Sequence, residues 1–115
     1  MLPQKKITKE ELLLKNEKIT KDYNTLKFKP ETSKKMKFRY NNPDDEDKTI
    51  LVESLDDIIE IRSKEVKIEQ KNGKFIKLTF NIPKTPGNYK PVVIVTNQRN
   101  GEIEEILRFN IYVES

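Results

Sequence analysis

The sequence predicts an all-β sandwich of seven or eight short antiparallel strands behind a single N-terminal α-helix. Three observations predict it. From Leu26 onward, apolar residues alternate with polar ones instead of recurring at helical spacing. Clusters of Asn, Pro, Gly and Asp break that alternation at short intervals. The 115 residues, 34% hydrophobic and 37% charged, suit one domain whose sheets each keep a wet face.

The helix comes first. Thr8 and Glu11 stand at capping-box spacing, and Ile7 is placed to staple onto Leu12 one turn in, so a helix is expected from Ile7 to Tyr23. Leu12, Ile19 and Tyr23 fall on one stripe of it, while Lys9, Lys15, Lys18, Lys21 and Asp22 keep the remainder polar. Residues 1–25 read as a helical extension or linker, and residues 26–115 as the sandwich domain.

The strands follow in order. Leu26 to Lys29 opens the series, and Met36, Phe38 and Tyr40 then alternate with Lys35, Lys37 and Arg39 in a half-buried strand. Asn41-Asn42-Pro43-Asp44 ends it. Thr49 to Leu55, Ile58 to Arg62, Val66 to Gln70, Phe75 to Ile82, Val92 to Thr96 and Ile103 to Val113 complete the set of eight.

Two Asn-Gly turns are open to a register argument. A two-residue loop at Asn72-Gly73 sets Ile68 opposite Lys77 and scrambles both faces. A three-residue loop with left-handed Gly73 and a bulge instead pairs Ile68 with Ile76 and Val66 with Leu78. The same shift at Arg99-Asn100-Gly101 pairs Val93 with Leu107 and places Pro91 by Phe109 and Tyr89 by Ile111. The inward set is then Phe38, Val66, Ile68, Ile76, Leu78, Phe80, Val93, Val95, Leu107, Phe109 and Ile111. Val92, Ile94 and Ile106 are left outside. Tyr89, after Pro86-Gly87-Asn88, is expected to be structural, its hydroxyl tying the inter-sheet loop to nearby backbone.

The residue inventory excludes most chemistry. There is no Cys and no His, which removes disulfides, thiolate metal sites, the commonest general base and the commonest metal ligand. Asp44-Asp45-Glu46-Asp47 lacks the spacing that converges six to eight oxygens on calcium and reads as a solvated loop. Asp56, Asp57 and Glu60 read as surface, with nothing nearby to separate their pKa values. Gly73, Gly87 and Gly101 each sit in a turn, not at spacings that cradle a phosphate. The chain is expected to be no enzyme, to carry no cofactor and no metal, and to take no small-molecule substrate.

Charge is unevenly placed. Residues 1–40 hold 12 basic and 5 acidic side chains, and residues 41–115 hold 11 and 14. A basic front attracts polyanions, such as acidic tubulin tails or nucleic acid. Lys outnumbers Arg 19 to 4, however, and Lys35, Lys37, Lys74, Lys77 and Lys90 show no interleaved aromatic platform, so nucleic acid is disfavoured. No stretch approaches the ~20 apolar residues of a membrane span, and Met1 to Lys5 lacks the apolar run of a signal peptide, which points to a cytoplasmic address.

The order Met36 to Pro43, Ile50 to Leu55, Phe75 to Pro83 and Pro86-Gly87-Asn88-Tyr89, with two final strands, resembles the major-sperm-protein-like immunoglobulin-like domains that recur in ciliary and centrosomal proteins. Within that group it is most similar to the repeated domains of a ciliary transition-zone scaffold. The resemblance covers residues 26–113. It implies a sandwich of seven or eight strands without catalytic activity, a docking and spacing unit at the cilium or basal body whose partners are other proteins, neighbouring domains of the same chain included. Some relatives bind acidic peptide motifs through a basic patch on one sheet, but the corresponding Asp56 to Glu60 here is acidic.

The apolar residues left outside point to a binding surface. Val92, Ile94 and Ile106 form a patch that soluble monomers cover or use. Burying three such side chains is worth roughly 5 kcal/mol before ordering costs. The two candidate coverings are the chain's own Leu12, Ile19 and Tyr23 stripe, slightly favoured, and a partner. These six residues are the expected partner-binding set.

Overall fold

The computed structural model describes residues 8–115. The expected staple from Ile7 lies outside them. Thr8 caps the helix as the spacing requires, its hydroxyl accepting the Glu11 N–H at 3.2 Å, but α1 runs only from Lys9 to Lys15. Asn16 ends it by turning its own amide back onto the Leu12 carbonyl at 2.9 Å, a local bond that competes with helix continuation. A 3-10 turn, Glu17–Ile19, follows. The chain then extends as β1 (Thr20–Asp22), where the sequence predicts more helix.

Ten further strands complete the chain: β2 (Leu26–Phe28), β3 (Ser33–Asn41), β4 (Lys48–Ser54), β5 (Ile59–Ile61), β6 (Glu65–Ile68), β7 (Gly73–Asn81), β8 (Gly87–Tyr89), β9 (Val92–Asn97), β10 (Ile103–Arg108) and β11 (Ile111–Val113). They form a five-stranded sheet, β1-β10-β9-β4-β6, and two three-stranded sheets, β2-β11-β8 and β3-β7-β5. The expected all-β sandwich is what forms. There are more segments than the eight read from sequence because strands change sheet. β1 and β2, β8 and β9, and β10 and β11 all cross between the five-stranded sheet and β2-β11-β8. The run Ile103 to Val113 is therefore two strands, broken at Phe109-Asn110.

One core joins the sheets. Ile50, Val52, Ile68, Val93, Val95 and Leu107 come from the five-stranded sheet, while Ile76, Leu78 and Phe80 come from β7 and Ile111 and Val113 from β11. Every residue of the expected inward set is in this core or packed on it, with Phe38 and Val66 only partly buried. Phe80 is fully enclosed, edge-on to Phe28 and Phe109 at centroid distances of 6.4 and 5.1 Å.

One hairpin keeps its predicted register with a different loop, and the other does not form. Val93 pairs with Leu107 and Tyr89 with Ile111, the Phe109 N–H donates to the Pro91 carbonyl at 3.0 Å, and Gly101 has φ +73°. The loop is one residue longer than expected, closing from the Asn97 N–H to the Glu102 carbonyl, and the bulge lies within β10 between Ile103 and Glu105. By contrast, β6 and β7 do not pair at all. β6 pairs with β4, and β7 with β3 and β5. Ile68 and Ile76 enter the same core from different sheets and share no ladder. The positive φ of that turn belongs to Lys71 (+57°), not Gly73. Gly73 is already in the β3–β7 ladder opposite Asn41, where a Cβ would collide with the Asn41 amide and the Arg39 guanidinium. Tyr89 donates its hydroxyl proton to the Thr85 carbonyl at 2.7 Å, the loop tie expected of it.

Candidate functional site

Val92, Ile94 and Ile106 form a second apolar cluster on the far side of the five-stranded sheet, and all three are buried. Leu12 and Leu13 of α1 lie on it, with Ile103. Ile103 and Ile106 are three residues apart and would face opposite ways in a regular strand. The β10 bulge adds the residue that lets both face the helix. The other two expected residues go elsewhere. Ile19 is half-buried in the 3-10 turn, and Tyr23 stacks on Phe109 at 4.7 Å with its ring 11° from parallel.

Asp56, read from sequence as surface, fastens this arrangement. Its carboxylate takes the Lys9 ammonium at 3.1 Å and the Val92 N–H at 3.0 Å, so one side chain ties the helix start to β9. Lys9 looks like any other solvated lysine in the sequence, and only the folded chain brings it to Asp56.

The bulge also aims Glu104 at Tyr40, Lys48 and Asn97, with oxygen-to-donor distances of 3.0, 3.2 and 3.0 Å. Lys48 reaches Asp44 as well, at 3.0 Å. This is the densest polar constellation among the described residues, and its protonation runs against catalysis. Burial, with the Glu104 charge, pushes the Tyr40 hydroxyl up to about 12. Burial pulls Lys48 down, but hydrogen bonds to Asp44 and Glu104 outweigh it and raise the ammonium above its ordinary value. Neither group is poised as a base or nucleophile near neutral pH.

Burial pushes Glu104 up, yet hydrogen bonds from Asn97, Lys48 and Tyr40 outweigh it and hold the carboxyl below 4.5. A carboxyl with a depressed folded pKa stabilises the fold above its ordinary value and loses that contribution as pH falls through the folded one. Glu104→Gln is therefore expected to cost about 1–3 kcal/mol at neutral pH. Urea unfolding of both proteins should show the gap closing as pH falls below the ordinary carboxyl value of 4.5.

The outer face of β3-β7-β5 is where charge is left unmatched. Register sets Lys35 opposite Thr79, Lys37 opposite Lys77 and Arg39 opposite Phe75, with Glu60 beyond Thr79. Phe75 is 51% exposed, with the Lys37 ammonium 4.6 Å from its ring centroid and the Arg39 guanidinium at 5.5 Å. Of the five lysines singled out from sequence, Lys35, Lys37 and Lys77 share this face, whereas Lys74 stands opposite the buried Tyr40 and Lys90 lies outside the sheet. The face does contain an aromatic ring, contrary to the sequence expectation. Among the described residues, no carboxylate pairs with Lys34, Lys35, Lys37, Arg39 or Lys77. The acidic loop behaves in the opposite way: Asp44, Asp45, Glu46 and Asp47 pair with Lys48, Lys71, Arg99 and Lys67 respectively. Four carboxylates spent on four separate cations do not converge on a metal ion.

No protein-family model matches the chain, and no curated protein matches its sequence. Solved structures match its fold. WR4, a C. elegans MSP family member, superposes with a TM-score of 0.53 at 13% identity, over 78% of this chain and 92% of that one. The ASH/PapD-like domain 7 of human CEP192 gives 0.55 at 15% identity, over 84% and 80%. A family 123 glycoside hydrolase from Clostridium perfringens gives 0.65 at 13% identity over 80% of this chain, which spans only 23% of that enzyme. At such identities the likeness is one of fold: this chain folds as an immunoglobulin-type β-sandwich of the MSP and PapD-like kind.

Proposed function

We propose that the chain is a non-catalytic protein-interaction module, one domain of a larger scaffold, with the outer face of β3-β7-β5 as its working surface. The observation that carries this is Phe75, a half-exposed aromatic ring with the Lys37 and Arg39 cations beside it on the sheet's outer face. Aromatic and Arg side chains supply much of the energy of protein interfaces. The Val92, Ile94 and Ile106 patch serves instead as the seat of α1. Of the expected partner set, Val92, Ile94, Ile106 and Leu12 become a proposal about the chain's own helix, Ile19 and Tyr23 lie outside that contact, and β1 argues for counting residues from 20 onward with the sandwich. A ciliary transition-zone or basal-body setting, in the manner of the nephrocystin-4 domains that the strand pattern resembles, is the context this reading favours.

The second reading, a binder of polyanions through the basic first third, draws on the same unpaired cations. Binding curves of the full chain against poly-glutamate and duplex DNA, at about 50 and 200 mM salt, separate the two. The module reading expects weak binding to both probes, because charge without apolar contact gives little at the higher salt. Micromolar binding to either, collapsing steeply between the two salts, overturns it in favour of counterion release.

A further inference from the structure

Resting on the module reading, the structure points to a more specific mode of docking at the edge of this face. β3 is nine residues long and stands at the end of its sheet, paired only with β7. The segment that would be expected beside it has gone elsewhere. β1 and β2, which precede β3 in the chain, run parallel to β10 and β11 in the other two sheets. Among the described residues, no backbone group of Ser33–Asn41 bonds to anything but β7. The edge carries no proline and its pairing with β7 is unbroken by any bulge, so two common devices for blunting an edge are missing.

We propose that this edge accepts an extended protein segment as a further strand, and that the segment alternates acidic with apolar residues. The alternation follows from the two faces of β3. Lys35, Lys37 and Arg39 project outward, exposed and without carboxylate partners, so a neighbouring strand is favoured by acidic side chains on that face. Met36 and Phe38 project toward the core yet remain only half-buried, so the strand's alternate side chains complete their burial if they are apolar. The same lysines exclude a second copy of the chain. Two β3 strands paired antiparallel about Lys37 set Lys37 against Lys37 and Lys35 against Arg39, like charges directly opposite. The edge is thus guarded against its own kind and open to an acidic one.

The test uses the full chain and a capped nine-residue peptide alternating Glu and Val, with poly-glutamate of equal charge as reference. The alternating peptide is expected to bind at least about tenfold more tightly than poly-glutamate, since several cross-strand pairs are gained together. Methylating the backbone nitrogens of one alternate set of peptide residues should abolish that gain, and methylating the other set should leave it, because a strand turns only every second N–H toward its neighbour. Lys35→Glu/Lys37→Glu, at exposed positions, should lose the binding with an unchanged melting temperature. Equal effects from the two methylated sets overturn strand addition, as does sedimentation showing the chain dimerising through β3. If poly-glutamate itself binds tightly, the module reading has failed. If poly-glutamate is weak and the alternating peptide is no better, only the edge proposal has failed.

Discussion

Phe80→Ala is expected to lower stability by about 3–5 kcal/mol, the usual cost of emptying an aromatic site in a packed core. A total stability of about 5–15 kcal/mol leaves little beyond that. Phe80 has no exposed surface. Its strand is paired on both edges, with Lys34 of β3 and Ile59 of β5 opposite it, so the backbone has little room to collapse into the void. Its ring also meets Phe28 of β2 and Phe109 at the β10–β11 break. One residue of β3-β7-β5 thereby holds the point where the other two sheets exchange strands. Urea unfolding followed by circular dichroism measures the loss. Phe75→Ala, on the same strand but half in water, should change stability by no more than about 0.5 kcal/mol. A Phe80→Ala cost as small as that would mean that the sheets do not meet at this ring.

What period-2 patterning determines was readable. Val93 and Val95 against Val92 and Ile94 sort onto two faces because a strand alternates, and the same rule fixed the Val93–Leu107 register. That β6 and β7 do not pair was not readable, because Lys71-Asn72-Gly73 is a tight turn whether the flanking strands join one ladder or enter different sheets. The choice is made by partners far along the chain, β4 for β6 and β3 for β7. The overlong helix has a similar cause. Asn16 ends α1 locally, and Thr20 to Asp22 are then taken by parallel pairing with β10, a partner more than eighty residues away that the sequence of the segment does not show.

The candidate site divides in the same manner. Lys35, Lys37 and Lys77 were recognisable as an outer stripe from alternation alone, and the same alternation, which turns Ile76 and Leu78 inward, puts Phe75 on the face of Lys77. What the sequence does not show is the register that sets Arg39 opposite Phe75. The open edge of β3 is a statement about where β1 and β2 went, and so belongs to topology and not to the sequence of β3 itself. Glu104 was invisible for a different reason: a regular strand would not send it toward Tyr40 and Lys48, and the bulge that does so sits one step beyond the turn where sequence placed it.

Leu12→Asp/Leu13→Asp is expected to detach α1 and open the far side of the five-stranded sheet. Both leucines pack on Val92, Ile94 and Ile106, and burying charge there without a partner is strongly unfavourable. A seven-residue helix has no independent stability in water, so once displaced it should unfold. Amides of residues 9–15 should then lose their exchange protection, and the uncovered apolar patch should drive self-association and dye binding. Leu14→Asp is the control, since Leu14 is 77% exposed beside the same two residues and should leave protection and oligomeric state unchanged. Asp56→Asn tests the tether alone: the Val92 N–H keeps an acceptor while the Lys9 ion pair weakens, so protection should fall in part while the patch stays covered. If the double variant remains monomeric with a protected helix, α1 is not held by those leucines. If it associates, the helix is what keeps Val92, Ile94 and Ile106 from competing with the β3-β7-β5 face for partners.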